Sequence, residues 1–167
     1  RGTIEAIYGM IVAQTREPLF YRDLAVPDTV DGRFDMLLLQ LWLVLRRLPP
    51  KSELAQGLFD RFCADMDDNL RELGTSDLKV PKEMKRMGEA FYGRSRAYLD
   101  ALGDRRALVS ALARNIYGGA PSAVDVAPRL ADYVVAAAGS LMGQDKAAIA
   151  AGEVAFPDPA KVPAPIA

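Results

Sequence analysis

No histidine occurs anywhere in the 167 residues. The usual general base, haem ligand and zinc or di-iron ligand is therefore missing. Catalysis, if any, would have to come from carboxylates, Lys, Tyr or the single thiol, Cys63. The densest run of such groups is Asp65-Met66-Asp67-Asp68-Asn69. It opens like a calcium loop, but the sixth position, which requires Gly, is Leu70, and the twelfth, which requires Glu, is Ser76. Asp67-Asp68 also begins like the magnesium-binding aspartates of all-helical terpenoid synthases. There the third acidic partner would fall at Arg71, so that pattern fails as well. The run lies inside a strongly periodic helix and reads as a solvated face with Arg61–Asp65 and Asp67–Arg71 pairs. Cys63 sits on the apolar face of the same helix and reads as a buried structural thiol. No metal and no other cofactor is implied.

The elements that would position these groups are all helical. The organising one is expected from about Val30 to Leu48. Pro27 and Gly32 punctuate its start, and Pro49-Pro50 forbid its continuation. From Met36 to Leu45 every residue but Gln40 is apolar, so the helix must be surrounded. Ten such residues are too few for a bilayer, which needs roughly 20, and the helix is read as the centre of a protein core. One polar line survives on it, Arg33, Gln40 and Arg47, which needs water or partners.

Around it, Thr3 to about Arg16 is a first helix, ended by Pro18, and Phe20 to Thr29 a connecting loop. A third helix runs from about Ser52, as N-cap, to Leu73, with Gly74 as C-cap. Asn69 falls near the middle of its apolar face and is expected to bond a neighbouring helix or loop. A fourth follows Pro81 to about Leu102, a fifth covers about Asp104 to Tyr117, an Ala-rich sixth about Ser122 to Met142, and a short seventh about Asp145 to Ala151. The fold class expected is an all-α single-domain bundle of six to seven helices over residues 1–152. A Pro-rich, extended and mobile tail is expected over 153–167. Met66, Met84, Met87, Phe91 and Trp42 read as core, or as the lining of a groove for an apolar client, since Met adapts to varied shapes.

Composition narrows the function. Half the residues are hydrophobic, enough for a substantial core, and 21 basic residues nearly balance 22 acidic ones. A general nucleic-acid binder would carry a basic excess. A single Cys excludes an internal disulfide and suits a reducing compartment. No signal peptide or spanning segment is evident, and the chain opens on Arg1 without Met, as a fragment would. The residues alone describe a helical bundle lacking an evident active site, a binding protein before an enzyme. A small-ligand-binding or carboxylate-based helical enzyme is the alternative, and a structural adaptor the second.

Five ordered segments then point to one family. They are Phe20-Tyr21-Arg22-Asp23, Pro27 to Asp35, Leu41 to Leu48, Phe59 to Glu72, and Val80-Pro81-Lys82 through Phe91-Tyr92-Gly93-Arg94. Together they resemble the ubiquinol–cytochrome c chaperone family, in its bacterial branch, over about Ile7 to Tyr117. The resemblance implies a non-catalytic assembly chaperone without a cofactor. Mitochondrial members bind newly made cytochrome b near the ribosomal tunnel exit during biogenesis of the cytochrome bc1 complex (respiratory complex III). The partners implied are therefore newly synthesised cytochrome b, with the ribosome or a small partner protein as further candidates. No nucleic-acid sequence recognition is implied. The location expected is cytoplasmic, peripheral at most on the cytoplasmic face of the inner membrane. For a client groove the residues expected are Tyr21, Phe34, Trp42, Phe91 and Tyr92, with Arg22, Arg33, Arg46 and Arg94 as polar anchors. An acidic strip of Asp60, Asp65, Asp67, Asp68 and Glu72 is expected to attract the Lys- and Arg-rich loops of a membrane client.

Overall fold

The structure, a computed structural model, describes residues 2–162. Among them there is no strand. Six long helices are α1 (Gly2–Thr15), α3 (Val30–Arg47), α4 (Glu53–Glu72), α5 (Val80–Ala101), α6 (Arg105–Asn115) and α7 (Ala127–Met142). Two five-residue helices, α2 (Pro18–Arg22) and α8 (Lys146–Ala150), and two short 3₁₀ turns complete the order. α2 replaces part of the expected loop. Five residues are too few to show a period, and Pro18 both stops α1 and starts α2.

The helix boundaries follow side-chain chemistry. The Thr29 hydroxyl accepts from the Gly32 amide at 3.0 Å and opens α3. Ser52 accepts from the Ala55 amide at 3.2 Å and opens α4. Asp104 accepts from the Arg106 and Ala107 amides to open α6. α4 closes on Gly74, whose φ of +88° suits only glycine without cost. There the Thr75 amide reaches Leu70 O and the Gly74 amide reaches Arg71 O, each at 3.0 Å, satisfying two orphan carbonyls.

α3 is the core. Met36, Leu38, Leu39, Leu41 and Leu43 are fully buried, and α1, α5 and α7 pack around the helix. Each member of its polar line has a partner, although the amide nitrogen of Gln40 has none among the described residues. Gln40, with no exposure, accepts from the Tyr133 hydroxyl of α7 at 3.0 Å, and Gln14 of α1 donates to the same hydroxyl at 2.9 Å. Arg47 donates to Leu141 O and Gln144 O at 2.7 and 2.8 Å, closing the end of α7. Arg33, at the exposed end, pairs with Asp28.

After α8 the chain loses helix but stays on the bundle. Val154 is buried and Phe156 packs on the core. Gln144 and Ala155 exchange two hydrogen bonds, and Gln14 donates to Pro157 O. The last part of the expected tail, 163–167, lies outside the described residues.

Candidate functional site

A groove of about 1160 Å³ opens beside the N-terminal half of α3. One wall is the end of α1 with α2, and the other is the last two turns of α4 with the middle of α5. The floor is apolar: Val12, Phe34, Leu37, Met66, Leu70 and Met87. The rim is charged on both signs, with Arg16, Arg22, Arg33, Arg86 and Arg94 against Asp28, Asp31, Asp35, Asp65 and Glu72. Two large apolar side chains stay in water on this rim, Val30 at 62% and Leu73 at 63% exposure.

The fold fixes the walls by specific bonds. Tyr21 donates its hydroxyl to Thr15 O at 2.8 Å, tying α2 to α1. Burial pushes that phenol above its ordinary range. Tyr8 of α1 donates to the Asp65 carboxylate of α4 at 2.6 Å, and Arg61 lies 4.8 Å from the centre of the Tyr8 ring. Burial and then Asp65 drive the Tyr8 pKa far above normal, so this phenol stays a donor. Across the floor Arg94 of α5 pairs with Asp35 of α3, both side chains mostly buried. The Asp35 pKa is nevertheless raised: desolvation outweighs the Arg94 cation, and Asp31 adds to it.

Of the residues expected to hold a client, five line this groove: Tyr21, Arg22, Arg33, Phe34 and Arg94. Four do not. Trp42 is only 4% exposed and packs on Tyr98 with ring centres 5.4 Å apart, because the apolar run of α3 is wrapped on all sides there. Phe91, at 7% exposure, belongs to an aromatic cluster with Phe59 and Phe62 between α4 and α5. Tyr92 caps that cluster from outside, 69% exposed and off the groove. Arg46 is half-buried near the other end of α3, its Nη1 without a hydrogen-bond partner among the described residues.

The acidic strip divides. Asp65 and Glu72 face the groove. Asp67 pairs with Arg71 at 2.6 Å, and Asp60 accepts from Gln56 at 2.8 Å. Asp68 is exposed outside the groove lining. Seven residues per two turns put Asp60 and Asp67 on one line of α4, and Asp65 and Glu72 on another. Arg61 bonds Glu5 of α1 at 2.9 Å instead of Asp65, which Tyr8 occupies. The five acids therefore do not converge on a closed pocket, which the carboxylate-enzyme alternative required. Among the described residues no cluster of Cys, Asp and Glu has the arrangement of a metal site.

Asn69 corrects another expectation. It is exposed and lines the groove, with no side-chain partner among the described residues. The cover over the apolar face of α4 reaches Met66 and Leu70 but leaves Asn69 and Leu73 in water. Met66 and Met87 were readable as groove residues from their type; Val30, Leu73 and Arg16 were not, since only tertiary structure brings them to one opening.

The sequence matches the family described as Ubiquinol-cytochrome C chaperone over residues 22–156, a span holding the α3, α4 and α5 parts of the groove but not α1 or most of α2. No curated protein matches it. Among solved structures, the Cbp3 homolog from Brucella abortus is 38% identical over 97% of this chain and 92% of that one, with a TM-score of 0.89. The five segments quoted from the sequence all begin within one or two residues of the matched span or inside it, and the all-helical bundle is the fold of that homolog. On this evidence the chain belongs to the ubiquinol–cytochrome C chaperone family.

Proposed function

We propose that the chain shelters newly made cytochrome b in the groove beside α3 during assembly of the cytochrome bc1 complex, making and breaking no covalent bond. Family membership supports the chaperone role. The observation that carries the groove is its apolar floor under an open charged rim. At about 1160 Å³ it exceeds the roughly 300–1,000 Å³ of small-molecule sites and suits a stretch of polypeptide. Phe34, Met66 and Met87 supply greasy, adaptable contact, and Val30 and Leu73 extend it at the rim. Asp65 and Glu72, with Asp28 and Asp31 opposite, present acid to the Lys- and Arg-rich loops of a membrane client. Tyr21 and Arg94 act as positioning residues that hold the two walls at their spacing.

No helix among the described residues is long and apolar enough to cross a membrane. In this reading the protein works from the cytoplasmic face of the inner membrane. Val30→Asp and Met87→Lys test the groove. Val30 is mostly exposed, so the melting temperature of its variant should hold, while Met87 is partly buried against the core and its variant is compared at equal folded fraction. Co-purification of cytochrome b should fall several-fold. Full capture by both variants would remove the groove from the proposal.

A further inference from the structure

Past α8 the chain turns at Gly152, with φ +94°, where a Cβ would lie 3.5 Å from that of Ala6 in α1. It then follows α1 to its far end, where Gln14 donates to Pro157 O at 3.1 Å. The 3₁₀ turn Pro159–Lys161 comes to rest against α2. α1 needs this cover. Glu5 is its only charged residue, so the helix is apolar nearly all round, and α3 and α4 take only two of its sides.

The segment 153–162 is nevertheless lightly held. Val154 is buried, and Phe156 and Val162 are partly buried against the core. Three hydrogen bonds from bundle side chains reach it, two exchanged by Gln144 and Ala155 and one from Gln14. Among the described residues no backbone–backbone bond joins 154–162 to a helix. Ordering nine residues for three apolar anchors leaves a far thinner margin than a helix has, so this segment opens before the bundle does.

What it holds is a wall of the groove. α2 contributes Pro18, Tyr21 and Arg22 to the lining, and the end of α1 contributes Thr15 with Arg16 beyond it. No residue of 153–162 lines the groove, so the segment backs that wall from outside. Its bond to Gln14 also reaches the core, because Gln14 donates to the Tyr133 hydroxyl as well.

We propose that 153–162 is a latch: it lifts off as a unit while the helices stay folded, and without it the α1–α2 wall swings away from α4 and α5. The widened groove then loads or releases its client. That use rests on the groove reading above; the movement itself does not.

The test uses the full chain with spin labels on introduced cysteines, in a Cys63→Ala background. One pair spans the groove at Arg22 and Asn69, a control pair lies away from it at Asp60 and Arg106, and a single label at Lys161 reports the latch; all five positions are exposed. Val154→Asp combined with Phe156→Asp should free the Lys161 label and lengthen the Arg22–Asn69 distance by several ångströms. The Asp60–Arg106 distance should stay as it is. An immobile Lys161 label in that variant, an unchanged Arg22–Asn69 distance, or a control pair that moves as well overturns the proposal. Captured cytochrome b should leave the variant several-fold faster than the wild type, and a wall that moves while release is unaltered overturns the use. Should Val30→Asp and Met87→Lys capture client in full, the groove reading fails, and the spin-label distances still decide the latch.

Discussion

At Gly32 the first turn of α3 lies so close to Pro27 that a Cβ would come within 1.8 Å of its carbonyl oxygen. The position is buried, and the partner is backbone, which cannot swing aside. Gly32→Ala should therefore cost about 1–3 kcal/mol, read as a lower urea midpoint. An unchanged midpoint would mean the turn before α3 is softer than described. Tyr133 makes a comparable demand by hydrogen bonding. Its hydroxyl serves Gln14 and Gln40 together, and burial, offset by those two bonds, leaves its pKa pushed up to about 12. Tyr133→Phe keeps the ring against Phe20 but strands the Gln40 carbonyl oxygen and leaves the Gln14 amide only Pro157 O. A loss of roughly 1–3 kcal/mol is expected, with the fold retained by circular dichroism. Neither glutamine announced this role. Gln40 was visible as the polar interruption of an apolar helix, but its partner Tyr133 lies 93 residues on, in α7, where it also meets Gln14 of α1.

Between elements, the Arg94–Asp35 pair joins α5 to α3 under the groove. Asp35 is raised above the ordinary carboxyl range in the folded protein, chiefly by burial. A raised carboxyl binds its proton more tightly folded than unfolded. Its contribution is whole below the unfolded pKa and is lost as pH rises through the folded one. Arg94→Leu removes the opposing cation, so that loss should deepen by about 1–3 kcal/mol at neutral pH. It should shrink towards zero where Asp35 is protonated. Urea midpoints across the acid-to-neutral range check this, and a difference independent of pH would contradict it. The elements also show how far sequence reaches. α3 was legible because ten residues of near-continuous apolarity end at Pro49-Pro50. α2 was not, because one and a half turns show no period. On α4 periodicity identified the apolar face correctly but could not say what covers it. In its last two turns Met66 and Leu70 are buried, but Asn69 and Leu73 stand at the edge of that face and are wet.

For the whole molecule, the groove exists because α1 and α2 on one side and α4 and α5 on the other stand apart over the first turns of α3. Its walls are remote in sequence, which is why five of the nine residues expected for a client groove line this one and Trp42, Arg46, Phe91 and Tyr92 lie off it. Aromatic type and family segment brought those four together; neither distinguishes core from rim. The rim charges should act mainly on encounter. Glu72→Lys is expected to slow client capture several-fold at low salt and to match the wild type at high salt. An equal rate at both would dismiss electrostatic attraction. The groove itself is tested most directly by photocrosslinkers placed at Tyr21, Phe34 and Leu73 on its lining and at Val124, 73% exposed and remote from it. In cells making the bc1 complex, the account predicts that the three groove positions capture cytochrome b and Val124 does not. Capture at Val124 with none from the groove would contradict it.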